Sequence, residues 1–252
     1  MAEATRAVLA HLRDDRGWTR AVSYIAPDNE RSVALAMRLG ATNEGPCPAY
    51  EGPSAVPHDT WRHDLGAGVP AEAGEPTRLA DWPVLDEDGL TLRAPSLADF
   101  PALCGYYSTD DARFVGGPEN AVATWRRLAT MLGHFDLRGF GMFAVEADGA
   151  FVGCVGGWMP PPWPEEEIGW FLFPAHRGRG LATRAALATR RHAYSRWGWA
   201  TAISLIETAN EPSKHVARRC GARCERMEDF RGRPTEIWRH PARDAAPAAT
   251  LH

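Results

Sequence analysis

The chain has 252 residues, 44% hydrophobic and 24% charged, with a formal net charge of -4. That length provides for one large domain or two small ones with a buried core, and the mild acidity argues against a general nucleic-acid or membrane-surface binder. No apolar run reaches the length of a membrane span, and the N-terminus lacks the apolar stretch of a signal peptide. Five cysteines, an odd number without metal-ligand spacing, and nine histidines without an HExxH point to a reducing cytoplasm and to no metal site.

In chain order, residues 4–10 read ATRAVLA, a helical pattern, and a β-rich run, AVSYI, follows Gly17-Trp18. A second helix is predicted to open at Asn29, with Ser32 in its first turn, and to close at Gly40. Two strands joined by a Gly-containing turn, through YEG and TWRH, end this part near residue 65. The stretch 66–88, rich in Gly, Pro, Ala and acidic residues, is expected to be a linker. Beyond it, GLTLRAP reads as a strand, and Ser96 or Asp99 is placed to cap the helix that follows. PENAVATWRRLATMLGHF is amphipathic, with Val122, Trp125, Leu128, Ala129 and Leu132 on one face. Two β-rich runs around Asp148-Gly149 make a hairpin, and EEEIGWFLF is a further strand after the proline loop MPPPWP.

The last part repeats the first. ATRAALA at 182–188 echoes ATRAVLA, and residues 198–222 match residues 17–41 at twelve of twenty-five positions without a gap. FRG and IWRH answer YEG and TWRH in the same order. This is the pattern of an internal duplication. The predicted order from residue 89 is β-α-α-β-β-β-α-β-α-β-β, a mixed α/β unit of ordinary domain size, and residues 241–252 read as a disordered tail.

Only the second copy is preceded by FLFPAHRGRGL (171–181). There a buried strand ends at Pro174 and a Gly-rich turn enters a helix. The main-chain N–H groups of Arg179, Gly180, Leu181 and Ala182 are then unpaired at a helix N-terminus, which suits a pyrophosphate. Gly178 and Gly180 allow close approach, and Arg177 and Arg179 add charged donors. Taken alone, a turn of this kind is more often only a turn.

The strand, the RGRGLA turn and the helix resemble the acetyl-CoA-binding motif of the GNAT N-acetyltransferase superfamily. The run from RGFGMF to RRCGA is similar to the branch that acetylates ribosomal-protein N-termini. The resemblance implies a mixed, mostly antiparallel twisted sheet flanked by helices, α/β (α+β) in class, over residues 89–240, with acetyl-CoA as cosubstrate. It implies that Phe171, Leu172 and Phe173 lie along the pantetheine arm and that Arg177, Gly178, Arg179, Gly180, Leu181 and Ala182 hold the pyrophosphate. Asn210 then hydrogen-bonds the pantetheine or the helix start, and Ser213 lies near the thioester sulfur. The tyrosine that many relatives place in this helix is missing from HVARRC, so Ser213 reads either as a proton donor or as part of a helix cap.

An attacking amine must lose a proton, and a carboxylate raised in an apolar cleft can take it through water. Glu167 stands where this branch commonly carries an acid, although Glu165–Glu167 also reads as a solvated loop. Trp158, Trp163 and Trp170 are candidates for the acceptor pocket or for the core.

The expected organisation is a partial repeat at 1–65 lacking the cofactor turn, a linker at 66–88, a complete domain at 89–240 and a tail at 241–252. The partial copy keeps Asn29 and Ser32 but has nothing to hold a pyrophosphate, and either a start further upstream or a real half-domain accounts for it. A half-domain needs its strand covered, by the full domain or by a second chain, the latter giving a homodimer. The expected activity is acetyl transfer to a primary amine, of a peptide N-terminus or a small molecule, by direct attack in a ternary complex. The alternative is a catalytically silent acyl-CoA-binding or scaffolding module.

Overall fold

A computed structural model describes residues 1–47, 57–66, 82–87 and 89–244. The chain divides into two units, Met1–Arg78 and Leu79–His252.

In the first unit, α1 (Ala2–Asp14) leads to β1 (Arg20–Ile25), α2 (Glu30–Arg38), β2 (Thr42–Pro46) and β3 (Asp59–Asp64). The strands form an antiparallel sheet in the order β1-β3-β2. Asn29 starts α2 by accepting a hydrogen bond from the Ser32 amide at 3.2 Å, and Gly40, at φ +77°, ends it. Ile25, Ala36 and Trp61 make a small core. The expected Gly-containing turn, at 50–52, lies outside the described residues.

In the second unit the strands are β4 (Leu85–Glu87), β5 (Leu90–Arg93), β6 (Met142–Ala147), β7 (Ala150–Trp158), β8 (Glu167–Leu172), β9 (Ile203–Glu207), β10 (Arg223–Phe230) and β11 (Arg233–Arg239). The helices are α3 (Phe100–Tyr107), α4 (Ala121–Arg138), α5 (Leu181–His192) and α6 (Glu211–Arg219). The sheet runs β10-β11-β9-β8-β7-β6-β5-β4, antiparallel throughout except between β8 and β9. This is the mixed, mostly antiparallel architecture expected. The run α5-β9-α6-β10-β11, with its sheet order β9-β11-β10, follows the same plan as α1 to β3.

Both faces of the central strands are covered, so neighbouring residues enter different cores. Phe143, Val155 and Leu172 pack with Leu181, Ala185 and Ala188 of α5, whereas Met142, Cys154 and Phe171 pack with Leu103, Tyr107, Leu128 and Met131 of α3 and α4. That is why β6 and β7 read as nearly continuous apolar runs rather than as alternation. Asp148 (φ +52°) and Gly149 (φ +75°) make the tight hairpin turn.

Three expectations change. The buried face of α4 is Thr124, Leu128, Met131, His134 and Phe135, while Val122 and Trp125 are exposed. Trp125 meets Phe100 edge to face at the helix rim, and Thr124 is tolerated inside because its hydroxyl donates to Asn120 O at 3.1 Å. Residues 82–87, placed in the linker, belong to the second unit: β4 pairs with β5, and Trp82 stacks on Phe135 at 4.0 Å. Trp82 and Leu85 pack this segment against the core; residues 67–81 and 88 lie outside the described residues. Of the tail, Pro241 and Arg243 are tied down through Tyr194 Oη to Pro241 O and Arg243 N–H to Ala200 O; residues 245–252 lie outside the described residues.

Candidate active site

β8 and β9 are paired at a single position, Glu167 with Ile203, where the Ile203 amide donates to Glu166 O at 2.9 Å. Beyond it the strands part, and a cleft of about 430 Å³ opens between β8, the N-terminus of α5 and α6. Main-chain direction alternates along a strand. Phe173 N–H donates to Val152 O on β7 at 3.0 Å, so the odd-numbered residues of β8 face β7. Trp170 and Leu172 therefore turn their main chain to the open side. Leu172 O is taken by Arg177 Nε at 3.1 Å, which leaves the amides of Trp170 and Leu172 and the Trp170 carbonyl for an added strand.

Of the three residues expected along such a ligand, only Leu172 has the right main-chain parity. Phe171 lines the cleft with its backbone turned away, and its ring stacks on Tyr106 at 5.0 Å. Phe173 packs edge to face on Phe151. Trp170 packs against the core and lines the cleft.

At the end of β8, Gly178 (φ +77°) and Gly180 (φ +73°) shape the turn, and α5 begins at Leu181 with no side chain capping it. A side chain at either glycine would sit in a strained backbone, but a Cβ would meet no protein atom within 4 Å. The cradle is thus open to a ligand, and Gly178, Gly180, Leu181 and Ala182 all line the cleft. The two arginines are partly committed. Arg177 pairs with Asp111 at 2.8 Å and lines the cleft; Arg179 pairs with Asp148 at 2.5 Å, on the hairpin turn.

Across the cleft, Asn210 caps α6 by accepting from the Ser213 amide at 3.3 Å, and both residues line the opening. The cap thus accounts for the Asn210 oxygen and the Ser213 N–H, and it leaves the Ser213 hydroxyl uncommitted. Lys214, buried beside it, anchors the helix start through Thr208 O (2.6 Å), Glu211 (2.9 Å) and Glu236 (2.7 Å).

Glu167 stands where the strands part, outside the cleft lining, and it is buried. One carboxylate oxygen accepts from the Leu205 amide at 3.0 Å and the other from the Trp163 indole N–H. Burial raises its pKa to about 7, against the pull of these two donors. Glu165 is not part of this arrangement: it pairs with Arg239 at 2.6 Å, which holds its carboxylate low. Trp163 touches Trp158 and Phe230 edge to face, and Trp158 stacks on His134 at 4.7 Å. The two tryptophans thus form one wall with the acid.

The structure brings together residues that sequence reasoning missed. Tyr106 from α3, Asp111 and Arg113 from the α3–α4 connection, and His215 and Arg219 from α6 all line the cleft. For His215 and Arg219 a signal existed, because helical spacing from Pro212 predicts positions 215, 216 and 219 on one face.

The GNAT acetyltransferase domain family matches residues 1–42 and 89–223. An acetyltransferase from Agrobacterium tumefaciens str. C58 is 29% identical, with a TM-score of 0.60 over 67% of this chain and 99% of its own. The fold is also that of the RimL ribosomal L7/L12 α-N-protein acetyltransferase in complex with coenzyme A (18% identity, TM-score 0.54, 63% of this chain and 97% of that one). A ribosomal-protein-S5-alanine acetyltransferase from Vibrio fischeri is similar in fold too (16%, TM-score 0.51, 65% and 99%). With its strand-turn-helix cradle, its parted strands and this match, the chain belongs to the GNAT acetyltransferase family and is an N-acetyltransferase that uses acetyl-CoA.

Proposed function

We propose that the chain moves an acetyl group to a primary amine, of a peptide N-terminus or a small molecule, by direct attack in a ternary complex. The observation that carries the reading is Glu167: a buried carboxyl with its pKa raised to about 7, at the point where β8 and β9 part. A group so tuned takes a proton near neutrality, which is what an ammonium acceptor requires before it attacks. Bound acetyl-CoA supplies the activated acetyl thioester. The amides of Leu181 and Ala182 and the Arg177 guanidinium hold phosphate oxygens, and the open main chain of Trp170 and Leu172 orients the extended arm. The Ser213 hydroxyl serves as proton donor to the departing sulfur. Trp158 and Trp163 exclude water around the amine.

Two relatives similar in fold are named for acting on ribosomal proteins, which favours a peptide N-terminus as acceptor and the ribosomal-protein branch. We also read the first unit as a partial repeat with no such cradle among its described residues. The common order of elements, the matching caps at Asn29 and Asn210 and the family match over residues 1–42 support this. One acetyl-CoA per chain in a calorimetric titration is expected. A homodimer through that unit is part of the same proposal, since β1 is paired only with β3 among the described residues, and sedimentation equilibrium tests it. Five cysteines without disulfides fit a cytoplasmic setting.

The test of the central claim is Glu167→Gln, assayed by CoA release with an amine panel. Turnover should fall by about 10²–10⁴-fold, with acetyl-CoA affinity nearly unchanged. Unchanged turnover in that variant would sink the assignment and favour a silent acyl-CoA-binding module.

A further inference from the structure

The single rung between β8 and β9 has a local cause. After Ile203 N–H to Glu166 O, a regular parallel ladder continues with Leu205 N–H to Ile168 O. Here both groups are diverted. Leu205 N–H goes to the Glu167 carboxylate at 3.0 Å, and Ile168 O accepts from the Ser204 hydroxyl at 2.7 Å. Two side-chain hydrogen bonds replace one main-chain rung, and the strands separate from that point.

The Ser204 hydroxyl is itself held. His240 Nε2 lies 3.0 Å from Ser204 Oγ, and both residues are buried. Because the hydroxyl spends its only proton on Ile168 O, His240 must donate to it, which fixes the neutral ring with hydrogen on Nε2. Nδ1 then carries no proton, and it is buried with no partner among the described residues. Burial, helped by Arg190 and Arg239, lowers the His240 pKa to about 3, so the ring stays neutral at any ordinary pH.

The same pair occurs in the first unit. Ser23 Oγ lies 3.1 Å from His63 Nε2, and His63 Nδ1 is likewise buried with no partner among the described residues. Ser23 stands opposite Trp61 and Ser204 opposite Trp238, each two residues before the histidine. Among the described residues β1 has no neighbour corresponding to β8, and yet the pair is made. In both units the pair is made between the two strands that carry it.

We propose that Ser204 and His240 are positioning residues that end the β8–β9 ladder at Ile168, thereby placing the Glu167 carboxylate and freeing the β8 main chain for acetyl-CoA. This rests on the reading of the cleft as the acetyl-CoA site. In Ser204→Ala, Ile168 O is left without its donor and recaptures Leu205 N–H. The ladder gains a rung, and Glu167 loses one of the two donors that favour its anion.

The test compares Ser204→Ala, Ser204→Thr and His240→Gln in the full chain. Calorimetry with acetyl-CoA should show binding weakened roughly tenfold in Ser204→Ala and restored in Ser204→Thr. The acid limb of kcat/KM should rise by about one pH unit in Ser204→Ala, a shift that mere loss of stability does not produce. Wild-type affinity and an unmoved acid limb in Ser204→Ala would overturn the proposal. Should that variant fail to fold, ¹⁵N NMR of His240 in the wild type decides: a persistent Nε2–H tautomer between pH 5 and 8 supports the hydrogen-bond chain, and a titrating or Nδ1–H ring refutes it. The affinity measurement needs neither an acceptor amine nor a base, so a failure of Glu167 as base leaves it intact. A wild-type chain that binds no acetyl-CoA overturns both readings.

Discussion

A single carboxylate shows how far environment outweighs residue type. Glu165 and Glu167 are two positions apart, yet one is held low by Arg239 and the other is raised by burial between Trp163 and the Leu205 amide. By composition they are equal members of EEE, and only the family resemblance singled out Glu167; in the structure Glu167 opens β8, whereas Glu165 lies before the strand and pairs with Arg239. Gly180 is the opposite case, legible at once because its positive φ is what a strand-to-helix turn demands. Gly180→Ala is expected to cost about 1 kcal/mol of stability in a thermal melt, since no protein atom opposes the new Cβ. Any loss of acetyl-CoA affinity beyond a few-fold in that variant reports the methyl meeting the ligand rather than the fold.

At the scale of elements, the caps were readable and the faces were not. Asn29 and Asn210 open α2 and α6 as their spacing predicts, each through the amide three residues on. The α4 face was misread because Thr124 and His134 are polar residues satisfied internally: Thr124 through Asn120 O, His134 between Phe140 O and the Met159 amide. Apolar periodicity has no access to such bonds. β4 was missed because three residues give no period at all. The paired caps allow a controlled comparison. Asn210→Ala and Asn29→Ala should each lose about 1 kcal/mol in denaturant titrations. Only Asn210→Ala should raise the KM for acetyl-CoA, because its helix lines the cleft. An equal rise in both variants would contradict the view that the first unit has no cofactor role.

For the molecule as a whole, two buried groups give stability opposite slopes with pH. Glu167 binds its proton more tightly folded, at about 7, than at its ordinary 4.5. Its contribution is therefore complete below about pH 4.5 and is lost as pH rises through 7. His240, at about 3 against 6.5, contributes fully above pH 6.5 and loses that contribution as pH falls towards 3. Between about pH 4.5 and 6.5 the two slopes oppose each other. Relative to wild type, Glu167→Gln should gain roughly 3 kcal/mol between pH 4.5 and 7, and His240→Gln roughly 5 kcal/mol as pH falls from 6.5 to 3. Urea titrations across that range measure both difference curves, and a flat curve for either variant would place its group in a less buried setting. At this scale the sequence offers twelve matching positions between residues 17–41 and 198–222, and the two units share an order of elements, the two observations on which the proposed repeat rests.

The one-rung meeting of β8 and β9 has a consequence for isotope exchange. Along β8 the odd-numbered amides are locked to β7, while those of Trp170 and Leu172 look out on the cleft. In the free enzyme, deuterium should enter this strand at every second residue, fast at 170 and 172 and slow at 171 and 173. Saturating acetyl-CoA should erase the alternation, turning a half-open strand into one protected on both sides. A central strand would thus record, residue by residue, whether its missing neighbour is in place.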